Sequence, residues 1–212
     1  MTSPFFFGYG SLVNRATHDY ADAHQATARG WRRVWRHAGI RPVSYLTVLP
    51  CRDTRIDGLI AHVPGDDWTV LDARERAYAR HDATHQVDHV LARPARIAIY
   101  AVPDGRHADP TEDHPILLSY IDVVIQGFLR EYGEAGAARF FATTDGWDAP
   151  VLDDRAAPFY PRHRPTDARD RAFVDDRLAA QGSRIMGLEE AHDRRLSILQ
   201  TDAAPARAPA AP

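Results

Sequence analysis

The chain has 212 residues, 44% of them hydrophobic, a formal net charge of −3 and one cysteine, which is enough apolar content for one ordinary domain with a real core. The acidic balance argues against a nucleic-acid partner, and no apolar run reaches membrane-span length. With Cys51 alone there is no intrachain disulfide, and no basic region precedes the short aromatic run near the N-terminus, so a cytoplasmic protein with a structural thiol is expected.

Residues 4–9 read as a buried strand, because Phe5, Phe6 and Phe7 follow one another without a polar break. The strand runs into Gly8-Tyr9-Gly10-Ser11-Leu12. Glycines at alternate positions let a ligand approach the main chain, and a hydroxyl residue follows. That is the layout of a loop that holds an anion or oxyanion on its amide N–H groups, or of a tight turn that holds nothing. Three familiar motifs are excluded. A dinucleotide fingerprint needs glycine or alanine where Val13 stands, a phosphate P-loop needs a lysine and the chain has none, and a nucleophile elbow needs glycines where Tyr9 and Val13 flank Ser11.

Residues 26–37, 43–49 and 56–63 read as further strands, punctuated by Pro42, Pro50 and Asp57-Gly58. The first is rich in arginine (Arg29, Arg32, Arg33, Arg36) and reads as a strand with one solvated face. Asp66 and Asp67 read as caps for a helix reaching His81. Residues 85–91 and 95–102 return to strand. Residues 116–132 have helical spacing, and 135–143 read as a second helix. A long loop over 145–165 follows, containing Pro158-Phe159-Tyr160-Pro161-Arg162; a loop of that length is a functional segment or a tether, expected to pack beside the site. Residues 166–199 read as one polar helix, a candidate dimer interface or a solvated surface, with a break near Gly182. From residue 200 the Ala/Pro-rich tail is expected to be disordered.

On a wheel of about 100° per residue, Trp68, Leu71, Asp72, Glu75 and Tyr78 share one side of the helix expected over 66–81. Glu75 therefore sits in the middle of the core face. A buried carboxylate is costly unless paired, and burial raises its pKa toward the range of a general acid/base. The competing reading is a structural ion pair with Arg74, Arg76 or Arg80. Tyr78, one turn on, either orients Glu75 or is an ordinary core residue. His81, His85 and His89 have metal-ligand spacing on a helix, but the residues around them favour turn and strand, and no metal is expected.

Together, Phe7-Gly8-Tyr9-Gly10-Ser11-Leu12 and Leu71-Asp72-Ala73-Arg74-Glu75 resemble the gamma-glutamylcyclotransferase superfamily, nearest its bacterial and glutathione-specific (ChaC-like) branches. Ala28-Arg29-Gly30-Trp31-Arg32-Arg33, Asp57-Gly58-Leu59 and Ser119-Tyr120-Ile121 leading to Gly127 support the likeness, which covers about residues 5–135. Where ChaC-like proteins carry Gly-Gly-Tyr after the glutamate, this chain has Arg76-Ala77-Tyr78. The resemblance implies an α+β fold, a small mixed β-barrel flanked by helices, over residues 1–144. A loop and helical extension over 145–199 and the tail over 200–212 would complete the chain. It implies no cofactor and no metal. It also implies a reaction in which a small γ-glutamyl substrate closes to 5-oxoproline and releases an amine. Glu75 would be catalytic, and Tyr9, Gly10, Ser11, Leu12 and Tyr78 would bind substrate; the loop amides would hold either the oxyanion or the α-carboxylate. A non-catalytic binding module of the same fold, or removal of a γ-glutamyl protecting group in a biosynthetic pathway, are the alternatives.

Overall fold

A computed structural model describes residues 2–39, 42–194, 196 and 198; the tail expected to be disordered lies outside them. Ten strands form one mixed, curled sheet: β1 (Ser3–Gly8), β2 (His24–His37), β3 (Ser44–His62), β4 (Ala79–Asp82), β5 (Val87–His89), β6 (Ala95–Ala101), β7 (Ile116–Leu117), β8 (Thr144–Asp145), β9 (Val151–Leu152) and β10 (Ile185–Met186). Four α-helices accompany it: α1 (Thr69–Arg74), α2 (Leu118–Ala142), α3 (Ala168–Gln181) and α4 (Leu188–Asp193). The strand order is β10-β9-β7-β3-β1-β6-β4, and β2 lies against β3, β5 and β8. This is the expected α+β architecture, and residues beyond 144 contribute strands to the same sheet.

The aromatic run explains the centre of the sheet. β1 pairs antiparallel with β3 from Phe5↔His62 to Gly8↔Leu59 and parallel with β6 from Ser3↔Ala95 to Phe7↔Ile99. A strand covered on both faces has no polar side, so its residues need not alternate. Phe5 and Phe7 enter the main core, while Phe6 joins a second cluster with Leu12, Ala61, Val63, Leu71 and Tyr100. The loop after Gly8 is therefore carried on the most buried element of the fold.

Several boundaries differ from the sequence reading, each for a physical reason. The strands expected at 43–49 and 56–63 are one continuous strand, β3, in a long antiparallel ladder with β2. Pro50 is tolerated because it faces Trp31 where the register slips between Arg29 and Trp31, a position suited to proline. The helix expected to reach His81 stops at Arg74, since residues 79–82 instead pair with β6 from Ala79↔Ala101 to Asp82↔Ala98. Asp67 does cap its start, accepting the Thr69 amide at 3.0 Å. The single polar helix expected over 166–199 is broken after α3 by Gly182, in the left-handed region at φ 71°, and β10 and α4 follow. α3 buries Val174 and Leu178 and leaves its polar faces exposed.

The two helices expected at 116–132 and 135–143 are arms of α2 on either side of a kink at Gly133. The first arm is buried almost all round, and the loop after β1 lies against it. Asn14 Nδ2 donates to the Val123 carbonyl and to Gln126 Oε1, both at 2.9 Å. Gly127 makes that contact possible, because a Cβ there would stand 2.6 Å from the Asn14 nitrogen. Gly127→Ala is therefore expected to destabilise the protein by about 1–3 kcal/mol through overpacking, although alanine is the better helix former by about 1 kcal/mol. A urea midpoint that falls with an unchanged slope is the expected result; a midpoint that rises would contradict the packing. No helix among the described residues is long and apolar enough to cross a membrane.

Candidate functional site

The loop and the carboxylate meet at the end of β1. Residues 11–13 form a single 3₁₀ turn in which the Val13 amide donates to the Gly10 carbonyl at 3.0 Å. The amides of Ser11 and Leu12 precede the first such bond and have no acceptor within the turn. A Cβ on Gly10 would approach Leu46 Cδ2 and the Tyr120 hydroxyl at 3.2 Å each, so only glycine leaves the loop free to lie against α2 and β3. Glu75 follows α1 as its C-terminal cap, at φ −97° and ψ 30°. It turns inward because residues 75–78 hand the chain from α1 to β4, with the Tyr78 amide bonded to the Glu75 carbonyl at 2.8 Å.

Two adjoining cavities result. The inner one is lined by Phe7, Gly8, Tyr9, Gly10, Ser11, Leu12, Leu46, Glu75, Tyr78, Tyr100 and Tyr120. The outer cleft shares Ser11, Glu75, Tyr78 and Tyr120 with it and adds Tyr45, Arg74, Arg76, Ala77, Tyr160 and Arg162. All six residues singled out from the sequence (Tyr9, Gly10, Ser11, Leu12, Glu75 and Tyr78) lie on these walls. A larger cavity, of about 520 Å³, lies elsewhere, between Arg32, Cys51 and Asp109, and contains none of them.

Both sequence readings of Glu75 hold at once. Its side chain, 17% exposed, lines the cleft, and Arg74 Nε stands 3.1 Å from its Oε1. The same guanidinium donates to the Thr17 carbonyl at 3.0 Å and to Ser11 Oγ at 3.3 Å. Arg74 thus ties the carboxylate to the glycine loop. The tyrosines are held by backbone acceptors: Tyr9 Oη donates to the Tyr100 carbonyl at 2.7 Å and Tyr78 Oη to the Leu46 carbonyl at 2.8 Å. Burial pushes the phenols of Tyr9, Tyr78 and Tyr120 upward, and the negative charge of Glu75 adds to the shift in each. They are neutral donors throughout the physiological range. The Tyr120 hydroxyl makes no hydrogen bond among the described residues.

The loop is braced from beneath. Arg33 is fully buried; its Nε donates to the Tyr9 carbonyl at 2.9 Å, its Nη1 to Thr143 Oγ1 at 2.9 Å and its Nη2 to the Asp57 carbonyl. Its guanidinium lies over the rings of Phe140, at 4.8 Å, and Phe128, at 5.0 Å. The solvated strand face expected for this segment is thus corrected at Arg33. Burial pulls its pKa down to about 9, which leaves it a cation at neutral pH. His18 braces the other end of the loop. Its Nδ1 accepts the Tyr20 amide at 3.2 Å, so Nε2 carries the proton toward the Leu12 carbonyl, 3.0 Å away.

Burial lowers the pKa of His18 below its ordinary value of 6.5. The unfolded chain therefore binds a proton that the folded chain refuses, and stability falls as pH drops below about 6.5. The expected result is a loss of melting temperature between pH 7.5 and pH 5.5 that is smaller in His18→Gln. An equal loss in the variant would assign the pH dependence to other groups.

Tyr120, Tyr160, Arg74 and Arg162 were not picked out as site residues from the sequence. Tyr120 lies in the Ser119-Tyr120-Ile121 match; Tyr160 and Arg162 come from the long loop, which packs beside the site as expected. Among the described residues no three His, Cys, Asp or Glu side chains cluster so as to hold a metal ion. His81 is on β4 and His89 on β5, not on one helix.

A family model described as ChaC-like protein matches residues 5–126, more than half of the chain. The chain belongs to the ChaC-like family. Its fold is similar to that of a human protein solved as uncharacterized protein loc79017, with a TM-score of 0.52 and 12% identity over 82% of this chain and 99% of that one. It is also similar to YkqA from Bacillus subtilis, with a TM-score of 0.51 and 15% identity over 69% of this chain and 57% of that one. A solved protein named gamma-glutamyl cyclotransferase gives a TM-score of 0.48 and 11% identity over 82% and 99% of the two chains. No curated protein sequence matches the chain.

Proposed function

We propose that the protein is a gamma-glutamylcyclotransferase that converts a γ-glutamyl peptide or amine to 5-oxoproline and a free amine. Membership of the ChaC-like family supports activity of this type. The observation that carries the reading is the meeting of Glu75 with the 9–12 loop in one cleft. The reaction is intramolecular. The inner cavity folds the γ-glutamyl group so that its α-amine faces its own γ-carbonyl, which is a gain in proximity.

An α-amine is largely protonated at neutral pH and becomes a nucleophile only when a base takes its proton. Glu75 is that base. The new C–N bond gives a tetrahedral intermediate, and the amides of Ser11 and Leu12 hold its oxyanion or the substrate's α-carboxylate. Glu75 then returns the proton to the leaving nitrogen as the old C–N bond breaks. Arg74 keeps the carboxylate facing the loop.

The test is direct. The protein is incubated with glutathione, γ-glutamyl dipeptides and γ-glutamyl amines, and 5-oxoproline is measured. Release from at least one substrate, lost in Glu75→Gln, is the expected result. Binding without 5-oxoproline would favour a non-catalytic module of the same fold.

A further inference from the structure

We propose that Arg162, outside the family-matched residues, is a specificity-determining residue that binds a carboxylate on the leaving amine. The proposal rests on the cyclotransferase reading above. It makes the preferred substrate a γ-glutamyl amino acid or peptide rather than an uncharged γ-glutamyl amide.

The two cavities differ in charge. The inner one, where ring closure takes place, has no cationic side chain on its walls. The outer cleft carries Arg74, Arg76 and Arg162 against one carboxylate, Glu75. Arg74 is occupied by Glu75, Ser11 and Thr17. Arg162 is half-buried and makes no hydrogen bond or ion pair among the described residues. In the same segment Arg155 engages two carboxylates, Asp122 and Asp175. A part-buried guanidinium left without an acceptor at the mouth of a cleft is suited to an anionic ligand, and carboxylate matches its planar donors. The α-carboxylate is carried on the ring-closing carbon and belongs with the inner cavity. The anion within reach of the outer cleft is therefore one on the departing half.

The segment holds Arg162 in place. Asp154, fully buried, accepts the amides of Ser119 and Phe159 at 2.8 Å each and also binds Ser119 Oγ. The ring of Tyr160 packs on Tyr120 at 4.8 Å, and Arg164 Nε donates to the Ala16 carbonyl at 2.7 Å. Arg162 sits between these anchors, flanked by Pro161, so little ordering cost remains when a ligand arrives.

The test compares γ-glutamyl-alanine with γ-glutamyl-ethylamide, which differ only by the carboxylate. The unaltered protein is expected to favour the dipeptide in kcat/KM by about ten- to a hundredfold, mainly through KM. Arg162→Gln should bring that ratio toward one, and Arg162→Lys should restore part of it. A ratio unchanged in Arg162→Gln, or an equal loss on both substrates, would overturn the proposal while leaving the cyclotransferase reading intact. No 5-oxoproline from either substrate with the unaltered protein would overturn both.

Discussion

Replacing Glu75 with glutamine is expected to lower kcat for 5-oxoproline release by about 10²–10⁴-fold, the usual range for removing a general acid/base. The change is isosteric, and the glutamine carbonyl can still accept from Arg74 Nε, so the bridge from Arg74 to Ser11 and Thr17 survives. Little change in melting temperature is therefore expected. KM should move much less than kcat, because the inner cavity binds substrate chiefly with the loop and the tyrosines. Full activity in Glu75→Gln would remove Glu75 from the mechanism even with the reaction itself established.

Arg33→Leu is expected to cost on the order of 3 kcal/mol of unfolding free energy, measured by urea titration. Two effects oppose each other. Leucine relieves the burial penalty of the guanidinium, the same penalty that draws its pKa down to about 9. But the Tyr9 and Asp57 carbonyls and Thr143 Oγ1 remain, and each loses its donor inside the core. Removing one side of a buried polar arrangement is the expensive case, whereas replacing both sides can be neutral. Activity at temperatures where the variant is folded should fall too, because the Tyr9 carbonyl fixes the start of the loop. A variant as stable as the parent would show that water or a shifted side chain satisfies those carbonyls.

The loop after β1 was readable in the sequence because an unbroken aromatic run has few homes other than a strand covered on both faces. Glu75 was readable for a partly wrong reason. The helical wheel placed it among Trp68, Leu71 and Tyr78, but α1 ends one residue earlier, and the inward turn comes from the passage into β4. A strand of four residues pairing with an element some twenty positions later leaves little local signal. Arg33 was there to be seen. In a strand, residues 31, 33 and 35 share a face, and Trp31 and Trp35 mark it as the apolar one. Read as a cluster of charge, the segment gave the ordinary answer of a wet face; read by alternation, it placed one arginine among tryptophans. The role of residues 153–165 was not readable, since their anchors, Asp122 and Ser119, lie on α2 and declare no partner by spacing.

Those anchors also order events at the ribosome. The floor of the cleft is made from the first strand and its partners, which have all been synthesised by the end of α2. Its outer wall, Tyr160 and Arg162, is translated later, and folding generally proceeds behind synthesis from the N-terminal side. A nascent chain that has already paired β1 with β3 and β6 thus holds the loop and Glu75 but lacks the wall. The pocket for the departing half is finished only as translation nears its end, so an incomplete chain carries the proton-transfer group without the means to choose what it acts on.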